Sequence, residues 1–175
     1  KTGKSNIADT QSAIFEYDDL NCVWQHRSWG TPADPEYPWS FKLFGEKGTL
    51  CGSTMQYDFY PVGKGEKIHK DVVYEKEKYP EDLTEPNIEL NAAPATRLHM
   101  LDFLRAIDNN TRPVADIEDG HISTASCILA NVSMKLGRPL VYNPIKRIVE
   151  GDAEATQLLQ RPYRQHWMHP LPGNV

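Results

Sequence analysis

A chain of 175 residues, 39% hydrophobic and 25% charged, is long enough to bury the core of one ordinary domain without disulfides or metal. A net charge of -5, a pI of about 5.7 and a mean hydropathy of -0.57 provide no basic field for a nucleic-acid backbone. No apolar run reaches the roughly 20 residues a membrane-spanning helix needs, so the composition points to neither nucleic acid nor membrane as a partner. Cys22, Cys51 and Cys127 are odd in number and stand in apolar surroundings, so they read as reduced core thiols. Lys1-Thr2-Gly3-Lys4 has no initiator Met and no signal-like apolar stretch. The absence of a targeting segment at this start therefore carries no weight, and localisation stays open.

The first half, residues 1–74, reads as a strand-rich antiparallel meander. Ala13, Phe15 and Tyr17 alternate with Ile14, Glu16 and Asp18 at the period of a half-buried strand. Asp18-Asp19-Leu20-Asn21 supplies a turn, and Cys22 to Trp29 returns as a strand. Gly30-Thr31-Pro32-Ala33-Asp34-Pro35 breaks the pattern as a loop. A strand follows from Trp39 to Phe44, then a hairpin turn at Gly45-Glu46-Lys47-Gly48. Thr49 to Tyr60 is expected to continue as strand with a break near Gly52-Ser53. Pro61 to Gly65 turns the chain, and Ile68 to Tyr74 reads as a lysine-blunted edge strand.

Residues 75–94 are charged and punctuated by proline, which predicts an excursion over the surface. Residues 95–175 carry helices and a docking tail. Met100, Phe103, Leu104 and Ile107 form an apolar stripe opposite Asp102, Arg105 and Asp108. Asp116 is the expected N-cap of a second helix with Ile122, Ala125, Leu129, Val132 and Leu136 on its buried side. Gly137 ends it, Pro139 to Tyr142 predicts a short strand, and Asp152 to Leu159 a brief helix. Strands followed by helices give an α+β fold, an open, mostly antiparallel sheet with helices packed on one face.

No glycine-rich phosphate loop and no nucleophile elbow stand in the sequence. His166 and His169 have an H-x-x-H spacing, but in an extended stretch without neighbouring carboxylates, so no metal site is expected. His26-Arg27-Ser28-Trp29 is the richest constellation. Alternation sends Trp24, His26 and Ser28 to one face and Gln25, Arg27 and Trp29 to the other. Either this strand ends at a cleft walled by residues 30–38, or its histidine and arginine serve the sheet. Trp29, Tyr37 and Trp39 near that loop are candidates for stacking on sugar rings. At the other end Arg161, Tyr163, Arg164, His166 and Trp167 offer donors and aromatic area, suited to docking on another surface.

The order of segments carries a resemblance. Phe15-Glu16-Tyr17 is followed by Trp24-Gln25-His26-Arg27-Ser28-Trp29 and Phe44-Gly45-Glu46-Lys47-Gly48-Thr49-Leu50. Later come His99-Met100-Leu101-Asp102-Phe103-Leu104, the run from Arg112-Pro113 to Gly120-His121, Leu136-Gly137-Arg138-Pro139-Leu140 and Leu158-Leu159-Gln160-Arg161-Pro162-Tyr163-Arg164. Together these resemble the C-terminal domain of the Gfo/Idh/MocA family, the glucose-fructose oxidoreductase and inositol dehydrogenase type, over nearly the whole chain.

That resemblance implies an NAD(P)-dependent parent acting on a sugar, cyclitol or related polyol, with the cofactor on an N-terminal Rossmann domain. It implies no cofactor site and no catalytic residue in this chain, which alone is expected to be inactive. His26, Arg27 and Trp29 match the family's strand motif, and Arg161, Tyr163 and Arg164 its terminal motif, as expected substrate contacts. The expected partners are a second copy through the open sheet face, the parent's Rossmann domain and a sugar-like small molecule. The alternative is a free-standing carbohydrate-binding or dimerisation module.

Overall fold

A computed structural model describes residues 8–32, 34–90 and 92–168. The chain divides after Val114 into two compact units.

In the first unit, β1 (Thr10–Glu16) and β2 (Asn21–Arg27) form an antiparallel hairpin, registered from Thr10 opposite Arg27 to Glu16 opposite Asn21. A second sheet holds β3 (Phe41–Gly45), β4 (Gly48–Gly52), β5 (Gln56–Pro61) and β6 (Ile68–Asp71) in sequence order. The expected meander is thus two sheets. Pro32, Pro35 and Pro38 remove three amide donors between β2 and β3, so this stretch cannot extend a ladder from one to the other. The strand expected from Thr49 to Tyr60 breaks at Gly52-Ser53 as predicted, and there the chain reverses from β4 into β5. Ser53 makes the turn: its amide bonds the Gln56 carbonyl at 2.8 Å, and its hydroxyl accepts from the Met55 amide at 3.2 Å.

The excursion contains a short 3-10 turn, Pro80–Leu83, and leads into α1 (Ala93–Asn109). Arg97 on α1 fixes that approach. Its two terminal nitrogens meet both oxygens of Asp82 at 2.9 and 2.7 Å, and its guanidinium lies over the Tyr79 ring at 3.8 Å. The Asp82 carboxylate is buried, and Arg97 holds it below the usual carboxylate range. Asn110 ends the helix in left-handed geometry, φ 51°.

The second unit is built on α2 (Ile117–Leu136), β7 (Tyr142–Asn143), β8 (Ile148–Val149) and α3 (Ala153–Leu158). Asp116 caps α2 by accepting from the Glu118 and Asp119 amides, and Gly137 closes it at φ 67°. The short strand expected from Pro139 to Tyr142 is displaced to β7, which shares only Tyr142 with it, and β7 pairs with β8, which carries no pattern long enough to read. Val132, Val149 and Ala155 make the core, with Leu129, Leu136, Leu140, Leu158 and Leu159 around it. Arg138 clamps α3 by bonding both Asp152 oxygens, at 2.8 and 3.0 Å, while Asp152 caps the Ala155 amide.

Two expectations about burial are corrected. Only Cys51 of the three cysteines is buried, because β2 carries no layer over Cys22 and Cys127 stands on an uncovered face of α2. The α1 stripe has the predicted period, yet Met100, Phe103, Leu104 and Ile107 are all exposed. Among the described residues no helix is long and apolar enough to cross a membrane.

Candidate functional site

The densest polar constellation in the first unit centres on Asp58, whose residue is fully buried on β5. An antiparallel register places His69 of β6 directly opposite it. The Asp58 carboxylate accepts from the Tyr37 hydroxyl on one oxygen, and from His69 Nδ1 at 2.7 Å and Lys67 Nζ at 3.3 Å on the other. His69 Nε2 meets Asp71 at 3.2 Å. With a carboxylate beside each ring nitrogen, the protonated ring can donate to both.

Each ionisation state follows from those contacts. Tyr37, then His69 and Lys67, hold Asp58 down to about 2 against the opposing pull of burial. The same carboxylate pushes the Tyr37 phenol up, so it stays a donor. Asp58 first, and Asp71 second, raise His69 above its ordinary value. An imidazolium whose nitrogens both donate has no lone pair to accept a proton. In that state the cluster binds and orients.

What it orients is the segment 34–40. Tyr37, only 4% exposed, is the plug. Gln56 Nε2 donates to the Glu36 carbonyl at 3.3 Å, and Asp34 accepts from the Glu36 and Tyr37 amides while pairing with Lys42 at 3.0 Å. Beyond the plug Trp39 stands 94% exposed, with its backbone at φ 60°. That is a left-handed conformation rare for a bulky residue, and such strain persists only where flanking contacts impose it.

The sequence-derived residues stand in separate places. His26 stacks on Trp24 with ring centroids 5.7 Å apart, which fits the predicted shared face. Arg27 donates to the Thr31 carbonyl at 2.6 Å, and Trp29 Nε1 to the Thr10 hydroxyl at 2.9 Å. All three belong to the first unit: His26 and Arg27 end β2, and Trp29 lies at the start of the irregular loop. Arg161, Tyr163 and Arg164 are exposed and belong to the second unit. Tyr37 is corrected: its ring is buried and its hydroxyl is engaged by Asp58, so it offers no stacking face. His169 lies outside the described residues, among which no group of three or more His, Cys, Asp or Glu is arranged to hold a metal. Sequence reasoning missed Asp58, His69, Asp71 and Lys67.

A family profile described as "Oxidoreductase family, C-terminal alpha/beta domain", of the Gfo/Idh/MocA type, matches residues 57–169, more than half of the chain. The chain belongs to that family. The match begins within β5 and takes in Asp58, His69, all three helices and the Arg161, Tyr163 and Arg164 motif. His26, Arg27 and Trp29 precede it, so their assignment rests on the sequence resemblance. Comparison with curated proteins and with solved structures finds no match.

Among the described residues no helix start is reached through a glycine turn of the kind that cradles a dinucleotide pyrophosphate. Pyrophosphate needs free amides at a helix start reached through a glycine turn. Here α2 and α3 are capped by the carboxylates of Asp116 and Asp152, and α1 starts at Ala93-Pro94 without a glycine.

Proposed function

We propose that this chain is the substrate-side and subunit-interface domain of an NAD(P)-dependent oxidoreductase acting on a sugar, cyclitol or related polyol. The cofactor and the catalytic residues come from a Rossmann domain of the parent, and this domain shapes the site and the assembly. Family membership supports that reading. The observation that carries it is the apolar surface that the first unit leaves open. Every residue of β2 and β3 is exposed, with Phe41, Leu43 and Phe44 at 48%, 53% and 80%. Phe41 and Leu43 share one face of β3 by strand alternation, an uncovered apolar pair suited to a partner surface. In this reading His26, Arg27 and Trp29 are substrate contacts of the first unit, and in the second unit Arg161 and Arg164 offer charged donors and Tyr163 a hydroxyl to hydroxyl or anionic groups.

Calorimetric titration of the chain with NAD and NADP tests the division of labour. The expected result is no saturable binding of either nucleotide. Tight binding would place the cofactor site in this chain and contradict the proposal. Exposed Trp29 and Trp39 favour a second reading, a free-standing carbohydrate-binding or dimerisation module. Saturable sugar quenching of tryptophan fluorescence in this chain alone, lost in Trp29→Ala, would favour it.

A further inference from the structure

We propose that Tyr37, Asp58 and His69 form a proton-operated latch: protonated His69 keeps the segment 34–40 locked on β5 and β6, and its deprotonation loosens that segment. The geometry carries this. One buried carboxylate joins three pieces of chain: Tyr37 from the loop, Asp58 from β5, and Lys67 and His69 from the approach to β6 and β6 itself. The side chain of His69 is 41% exposed, so solvent protons reach it, while the carboxylate it supports is sealed.

The charges facing His69 are few. Asp58 of β5 and Asp71 of β6 favour its charged form, and the Lys67 ammonium shares the same Asp58 oxygen. From the loop, Tyr37 is neutral and Glu36 adds a negative charge that acts on Tyr37 and Lys67. Loss of the His69 proton leaves one ring nitrogen without a hydrogen, so it faces a carboxylate lone pair to lone pair. Either the Asp58 or the Asp71 contact is then lost, and in both cases the Lys67 ammonium is the one positive charge left against the buried Asp58 carboxylate among the contacts of this cluster.

The sign follows from the direction of the shift. A histidine raised by folding lends its stabilisation below its unfolded value, and that stabilisation disappears as pH rises through the folded value. The latch is thus tight in mild acid and looser in base. What it releases is the strained, exposed Trp39 and the loop behind it, so it sets how firmly that tryptophan is presented to whatever it meets.

Hydrogen exchange of the full chain, corrected for intrinsic rates, reads the latch directly. Between about pH 5.5 and about pH 8.5, protection of the segment 34–40 should fall about tenfold, with β4 unchanged as an internal reference. His69→Gln should show the high-pH behaviour at both values. Tyr37→Phe, which keeps the ring and removes only the hydroxyl, should show a loose loop with no pH response. Equal protection at both pH values in the unaltered chain would overturn the proposal. So would a fall shared equally by β4, or a pH response that survives in His69→Gln.

Discussion

Asp58→Asn is expected to lower the thermal midpoint of the first unit by about 10 °C at neutral pH, because it removes a buried charge from three partners at once. The substitution keeps volume and shape, so the loss is electrostatic. Two carboxylate oxygens accept from Tyr37, His69 and Lys67, and an amide offers one oxygen and one NH2 in their place. At least one native donor then faces another donor in a sealed site. The effect has a pH signature. A carboxyl group depressed to about 2 by folding contributes stability above its ordinary value near 3.8, and loses it as pH falls toward 2. Melts followed by circular dichroism should therefore differ fully at pH 6 and converge toward pH 2. A variant midpoint equal to that of the unaltered chain at pH 6 would show that the cluster contributes nothing to the fold.

Gly48→Ala is the second large effect, a loss of about 3 kcal/mol or more. Gly48 opens β4 at φ 153° and pairs with both Gly45 and Pro61. A Cβ there would stand 2.3 Å from the Tyr60 carbonyl oxygen and 2.8 Å from the Phe59 ring. The ring can turn away, but the carbonyl is backbone inside the β4–β5 ladder and cannot. Relief would separate the two central strands. Gly52 provides the control, since the nearest atoms there belong to the exposed Phe41 ring, at 2.7 Å, which is free to swing. Denaturant unfolding should show Gly52→Ala much the milder of the two; equal costs would mean that the Gly48 approach is not what fixes this sheet.

Elements with a local cause were legible from residues alone. The alternation of Ala13 to Tyr17, the Gly45 and Gly48 pair, the Asp116 cap and the Gly137 terminus each act over a few residues, and each appears at its predicted place. Sheet membership depends on which edges meet, and three prolines between β2 and β3 decided that against one continuous meander. The α1 stripe shows the converse limit. Its period marks an apolar face correctly, but period says nothing of whether the covering surface belongs to this chain.

The Asp58 cluster was missed because its members lie at 37, 58, 67, 69 and 71, with no motif among them. One signal was available. Counting outward equally from the Gly63-Lys64 turn places Asp58 opposite His69, a carboxylate facing an imidazole across two strands. Tyr37 had no such signal. As an aromatic residue in a proline-rich loop it read as a stacking face, and only the tertiary contact shows it to be a plug.

In the proposed reading a second copy of this domain covers the exposed strand β3. Sedimentation velocity of the chain across a concentration series tests it most directly. The expected result is a species of about twice the 19.9 kDa of one chain, returned to monomer by Leu43→Glu on the exposed strand β3. A mass of one chain at every concentration, or a dimer indifferent to Leu43→Glu, would contradict it.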